Sequence, residues 1–325
     1  MYDFKGKKVL VAGGTGLIGI PLVELLLQEG ASVRVASLDD PSRAHPETEF
    51  FQLDLTDFEN CLKACGGVEY VFNLLCIKGS PQMAKERPVD MFEPHILFNV
   101  NLLKAARQSG AGGFLYTSTY GIYPHTEVSH EDSAFTQLPS ENDLFAGWAK
   151  LTGEIQARAY RAQYGWDRIS VVRPANTYGP YDNFESVGAM VVPSLIRRAV
   201  SGENPLVVWG DGSQIRDFIH ARDVARGMLH VAKLGYSEPV NLGSGKGVTI
   251  KELAETVVRS IDPMPKLEWD TTKPTGDKKR VLDTSRAKSI GFEPVIKLEE
   301  GIRETVEWYR AHKGKQSGRF DKFAS

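Results

Sequence analysis

Within Lys8-Val-Leu-Val-Ala-Gly-Gly-Thr-Gly-Leu-Ile-Gly19 a short apolar run passes, through glycine, into the start of a helix. Lys8 to Ala12 reads as a buried strand, and Pro21 to Glu29 as an apolar-periodic helix ended by Gly30. Gly13, Gly16 and Gly19 each have a physical task in such a turn. The first permits a tight bend, the second lets backbone approach a pyrophosphate, and the third lets helix and strand come close. The free N–H groups and dipole of the helix start then face the anion. The turn therefore predicts a dinucleotide cradle, to which Leu17 and Ile18 also belong.

Outward from this turn, strand-like and helix-like segments alternate. Strands are expected at Ser32 to Ala36, Glu49 to Leu53, Tyr70 to Leu75, Gly113 to Ser118 and Arg168 to Val172, with helices at Ile96 to Gln108 and Leu151 to Tyr164. Such alternation implies an α/β fold, a doubly wound parallel (Rossmann) sheet covered on both faces. Beyond about residue 177 the elements become shorter and richer in Gly and Pro, which reads as a smaller α/β C-terminal substrate domain. The expected division is 1–177 plus about 213–243 for the dinucleotide, about 178–212 and 244–312 for the substrate, and a flexible tail at 313–325.

The chain has 325 residues, enough for a sizeable core, and a net charge of −2. That charge gives no reason to expect nucleic acid or an anionic membrane as partner. The start, Met1 to Lys8, lacks a signal-peptide pattern, and no later stretch is long and apolar enough for a membrane span, so the expected location is cytoplasmic. Cys61 and Cys65 sit at helical face spacing and Cys76 stands apart, which argues for reduced thiols and no metal. Cys76 reads as a core thiol.

The adenosine end of the site leaves two options open. Ser37 occupies the tip of the second strand, where a carboxylate would favour NAD, and Arg43 lies close behind. Those residues favour NADP, whereas Asp39 or Asp40 would serve NAD. Asp54, beside Leu55, is placed either to contact adenine or to charge a helix start.

Several further segments complete a pattern: Asn99-Val-Asn101, Tyr116-Thr-Ser-Thr-Tyr120, Gly147-Trp-Ala-Lys150, Arg173-Pro-Ala-Asn-Thr177, Trp209-Gly-Asp-Gly-Ser-Gln-Ile-Arg216 and Asn241-Leu-Gly-Ser244. In this order, over nearly the whole chain, they resemble the extended short-chain dehydrogenase/reductases of the NAD-dependent epimerase/dehydratase family, and among these the GDP-fucose synthases. The resemblance implies an NAD- or NADP-dependent enzyme moving a hydride at a carbon of a nucleotide diphosphate sugar. Members commonly pair as homodimers through two helices, here about Ile96 to Gln108 and Ala149 to Tyr164. Carried over by position, Thr119 orients the sugar oxygen and Lys150 binds the nicotinamide ribose. Asn99, Thr117, Pro174, Asn176 and Thr177 line the cofactor. Arg216, Arg198, Arg280, Asp283, Trp209, Lys78 and again Asn176 face the sugar nucleotide, where arginine suits phosphate because its planar fork binds oxygens in pairs.

Three departures stand out. The acid/base tyrosine of the family belongs four residues before Lys150, and that slot holds Ala146, with Phe145 beside it. Three readings stay open: a Tyr→Ala change that holds substrate without turnover, another acid such as Tyr120, Tyr123 or water, and a paralogue that only binds. Gly121 and Met190 stand where the fucose synthases carry the Cys and His of their 3,5-epimerase step, and neither can move a proton. Thr119 is followed by Tyr120 and Gly121, not by the Asp-Glu pair of the 4,6-dehydratases. What remains is 4-keto reduction or 4-epimerisation.

Overall fold

A computed structural model describes residues 1–77, 86–185, 189–273, 276–314 and 318–322. Its first elements are β1 (Lys8–Ala12), α1 (Gly19–Gln28), β2 (Ser32–Ser37), β3 (Glu49–Gln52), α2 (Phe58–Cys65) and β4 (Tyr70–Asn73). Then come α3 (Pro88–Gln108), β5 (Gly113–Thr117), β6 (Val128–Ser129), α4 (Leu144–Tyr164), β7 (Ile169–Pro174) and β8 (Asn176–Tyr178). Next are α5 (Val191–Val200), β9 (Leu206–Trp209), β10 (Ile215–His220), α6 (Ala221–Leu234), β11 (Val240–Leu242) and β12 (Gly247–Thr249). The last are α7 (Ile250–Arg259), β13 (Leu267–Asp270), β14 (Lys279–Leu282), α8 (Ser285–Ser289) and α9 (Leu298–His312).

The larger sheet runs β11-β7-β5-β4-β1-β2-β3, with every neighbouring pair parallel. Strand order reverses between β1 and β4, so the crevice at the carboxyl ends of these two strands is where such a sheet takes a ligand. Leu22, Val23 and Leu26 of α1 and Val224, Ala225 and Met228 of α6 fill one face. Cys61 and Ala64 of α2, Phe98 and Leu102 of α3 and Ala157 of α4 fill the other. A second, mixed sheet runs β12-β10-β14-β6 with β8 on β10, beside a β13-β9 ribbon. α5, α7 and α9 share a third core with it through Ile196, Val257 and Val306.

Both site-bearing helices begin earlier than their sequence suggests. α3 runs through Pro94 from a proline at its first turn, because Met91, His95 and Phe98 are buried on one face across it. α4 begins at Leu144 and includes Gly147, where a Cβ would stand 2.7 Å from the Gly121 carbonyl oxygen. Only glycine lets the helix approach that turn so closely. Among the described residues no helix is long and apolar enough to cross a membrane, and no three His, Cys, Asp or Glu side chains gather as a metal site.

Candidate active site

The glycine turn sits at the predicted crevice, directly after β1. Gly13 has φ +81°, and a Cβ there would lie 3.3 Å from the Leu74 carbonyl oxygen beyond β4. At Gly19 a Cβ would collide with the Gly13 oxygen at 2.3 Å, so the third glycine brings the helix onto the turn itself. Gly16 meets only the Gly13 oxygen, at 3.4 Å, and otherwise faces open space. At the end of β5 the hydroxyls of Thr117 and Ser118 are buried and, among the described residues, have no hydrogen-bond partner. An open backbone cradle at one end and unpartnered donors at the other fit a bound dinucleotide.

Lys150, 4% exposed, enters from α4 and donates to the carbonyls of Leu75 (3.0 Å) and Thr117 (2.9 Å). Those bonds fix the ammonium at the ends of β4 and β5. Burial lowers its pKa from the ordinary lysine value, with Cys76 opposing. Thr119 follows β5 by two residues, where its hydroxyl accepts from the Gly121 N–H at 3.2 Å and keeps its own proton to donate. The close approach at Gly147 brings α4 onto the turn after Thr119, and Lys150 on the same helix reaches the Thr117 carbonyl two residues before it.

Four residues before Lys150 the slot at 146 holds a half-buried methyl group, and Phe145 beside it in sequence is 48% exposed. The neighbouring tyrosines are committed elsewhere. Tyr123 is buried, donating to Asn241 Oδ1 (2.6 Å) and accepting from Arg173 (2.8 Å). Tyr116 accepts from Asn99 (2.9 Å) and donates to the Lys150 carbonyl (3.1 Å). Tyr120 donates to Asn176 Oδ1 at 2.9 Å beneath the Arg280 guanidinium, 4.8 Å from its ring centre. Burial raises the pKa of all three, the wrong direction for a proton shuttle near neutrality.

Two features of this end escaped the sequence. A buried amide chain runs from Asn73 to Asn99 (3.0 Å) and on to Tyr116, bracing the floor beside Lys150. His95 is also buried here. Its Nδ1 must donate to the Met91 carbonyl, and burial followed by the Lys150 charge pushes its pKa down to about 3. Residues that carry no periodic or spacing signal of their own cannot be picked out before the strands are placed.

The substrate-side residues divide. Arg280, 7% exposed, pairs with Asp143 (2.5 Å) and Asp277 (3.5 Å). Burial works against its charge, but Asp143 and Tyr120 raise its pKa overall. Arg216 donates to the Ile215 and Asp277 carbonyls (2.9 and 2.7 Å) and shares this cluster, burial lowering its pKa. Asn176 is held on both sides, accepting from Tyr120 and donating to the Asp217 carbonyl (2.9 Å). Trp209 stands 57% exposed at the end of β9, with the Lys273 ammonium 5.8 Å over its ring. Asp283 accepts from Ser285 at the start of α8 (3.0 Å). Arg198 is different: it grips Glu203 (2.8 Å from Nε) and the Val207 carbonyl, fastening α5 to β9.

Of the remaining expected contacts, Pro174 ends β7 and Thr177 turns its hydroxyl onto the Ala175 carbonyl (3.1 Å). Asp54 caps Thr56 (2.9 Å) and Leu55 is buried before α2. Lys78 lies outside the described residues. Cys76 corrects the expectation of a core thiol: it is exposed, because β4 ends at Asn73 and the chain leaves the sheet. Cys61 and Cys65 are buried, their pKa pushed up to about 12. At the adenosine end, Thr15 donates its one hydroxyl proton to Asp39 (2.6 Å), so the Ser37 hydroxyl, 2.9 Å away, donates to Thr15.

The NAD dependent epimerase/dehydratase family model matches residues 9–243. A GDP-L-fucose synthase from Arabidopsis thaliana is 33% identical over 314 residues, covering 94% of each chain. A dTDP-4-dehydro-6-deoxy-D-allose reductase from Streptomyces bikiniensis is 32% identical, covering 94% of this chain and 97% of that one. Among solved structures, UDP-glucose 4-epimerase from Thermotoga maritima with UDP-glucose superposes with TM-score 0.82 at 28% identity, over 94% of this chain and 99% of that one. With the glycine turn and the parallel sheet in place, these likenesses show that the chain belongs to the NAD-dependent epimerase/dehydratase family.

Proposed function

We propose that this chain is a nucleotide-sugar 4-ketoreductase or 4-epimerase whose site is assembled except for its proton donor. The observation that carries this is Ala146. It lies one helical turn before Lys150 on α4, and every tyrosine from 116 to 123 is bonded elsewhere. When bound, NAD or NADP supplies the hydride acceptor or donor. The chain's own part is to hold that cofactor at the glycine turn and Lys150, to hold the sugar oxygen at Thr119, and to exclude water. With no hydroxyl at 146, nothing on α4 exchanges the proton that must accompany the hydride.

Plain reduction is favoured over the epimerising fucose-synthase reaction by Gly121 and Met190. Gly121 is packed against Asp143 and Met190 immediately precedes α5, so neither position offers a proton carrier. The Streptomyces relative carries the name of a simple reductase at nearly the same identity as the fucose synthases. A nucleotide diphosphate sugar would lie along Arg216 and Arg280, with the 1–177 plus 213–243 part holding the dinucleotide and the remainder closing over the sugar.

The deciding test is Ala146→Tyr. A general acid/base is worth roughly 10²–10⁴ in rate, so this variant should convert a 4-keto nucleotide sugar that much faster than the parent chain. A parent already turning over at normal enzyme rates overturns the reading. A variant that binds cofactor and sugar nucleotide but stays silent favours a binding-only protein. Assembly as a homodimer is part of the proposal: Phe145, Trp148 and Ile155 of α4 and Leu97 and Val100 of α3 expose an apolar stripe. Light scattering should return twice the chain mass, and a monomer that persists at high concentration removes this part.

A further inference from the structure

Residues 318–322, expected to fray, return to the end of β2. Phe320 N–H donates to Asp39 Oδ1 (2.7 Å), and Asp40 N–H donates to the Gly318 carbonyl (2.7 Å). Between them Arg319 donates to the Tyr181 carbonyl (3.0 Å), so the segment spans from β2 to the loop after β8. The second Asp39 oxygen accepts from Thr15 within the glycine turn at 2.6 Å. Both oxygens of the carboxylate best placed for a ribose diol are thus taken by the turn and the tail.

Arg43 sits at the same corner with its side chain 11% exposed. Its Nε is buried and, among the described residues, lacks a hydrogen-bond partner, since Asp39 stands 3.7 Å away. Burial first, and then the charge of Arg319, lower its pKa. The bonds of Phe320 to Asp39 and of Asp40 to Gly318 bring Arg319 to the corner where Arg43 stands. The buried Arg43 Nε, paired with Asp39 only at 3.7 Å, makes no hydrogen bond among the described residues. A phosphate monoester relieves that arrangement, and a bare hydroxyl does not.

We propose that the C-terminal segment is part of the cofactor site, with Arg319 joining Arg43 to grip a phosphate on the adenosine ribose, so that the tail selects NADP over NAD. This rests on the dinucleotide reading of the glycine turn. The test is the dissociation constants of NADPH and NADH for the full chain and for Arg319→Ala, Phe320→Pro and Arg43→Ala, read by nicotinamide fluorescence. NADPH should bind more tightly than NADH to the parent chain. Each variant should weaken NADPH roughly 10- to 100-fold, as loss of a charged hydrogen bond implies, and leave NADH within about 2-fold.

If Arg43→Ala weakens NADPH while Arg319→Ala and Phe320→Pro do not, the role of the tail is overturned and the turn remains a dinucleotide site. Tail variants that tighten both nucleotides overturn it too, since the segment then occludes the site. A parent chain with no preference for NADPH overturns the selectivity. Failure of either nucleotide to bind the parent chain removes the dinucleotide reading itself. Melting curves of the variants identify any that fail to fold, and Arg319→Lys, which retains charge without the fork, should then lie between parent and alanine.

Discussion

Glu154 on α4 and Arg173 on β7 form the most deeply buried ion pair described, with side chains 1% and 0% exposed. Arg173 donates from Nε to Oε1 (3.0 Å) and from Nη2 to Oε2 (2.7 Å), and its remaining donor reaches Tyr123 (2.8 Å) and the Glu131 carbonyl (2.7 Å). Glu154→Gln keeps the shape but removes the charge, and its NH2 then faces a guanidinium N–H. One buried cation is left uncompensated, a loss of about 3–5 kcal/mol. A chain of this size shifts its melting point by roughly 2 °C per kcal/mol, so Tm should fall by about 6–10 °C. Urea unfolding should show a lower midpoint with an unchanged slope. The double variant Glu154→Leu/Arg173→Met should lose clearly less than the sum of the single changes, because no lone charge remains. A Glu154→Gln melting point within about 2 °C of the parent, or strict additivity in the cycle, would refute this account of what fastens α4 to the sheet.

Two further expectations concern the site itself. His95 has an ordinary pKa of 6.5 when unfolded and about 3 when folded, so the folded chain binds fewer protons between those values. Its contribution to stability is complete above pH 6.5 and is lost as pH falls towards 3, by up to about 1.4 kcal/mol per pH unit. In His95→Gln the slope of unfolding free energy against pH, between about 6 and 4, should be smaller by one proton, and an identical slope would show that His95 is not buried in its neutral form. The Ala146→Tyr substitution should also change the pH profile of turnover, introducing a group that must lose or gain a proton. A gain in rate with no new pH dependence would point to packing at position 146 rather than acid/base chemistry.

Some of this protein is written in short stretches. The glycine turn needs a positive φ, a close backbone approach and a strand followed by a helix, all within Lys8 to Gln28, so its strand–turn–helix form is legible in sequence. Ala146 and Lys150 are one helical turn apart, and their shared face follows from helix geometry alone. The starts of α3 and α4 were misplaced because Pro94 and Gly147 are local helix breakers, and burial against the sheet and the Gly121 turn overrides that preference.

Other features required the assembled chain. The arginines look alike in sequence, yet Arg216 and Arg280 converge on Tyr120 while Arg198 is tied to Glu203, a difference created by strand placement. Asn73, Asn99 and Tyr116 become one hydrogen-bonded chain only when β4, α3 and β5 lie side by side. The tail reaches Asp39 across 281 positions of sequence, and no periodicity or motif records such a contact. Local backbone geometry decided where the glycine turn forms between strand and helix. Long-range pairing, which depends on the free energy of the whole packed chain, decided which charges are left to meet a ligand.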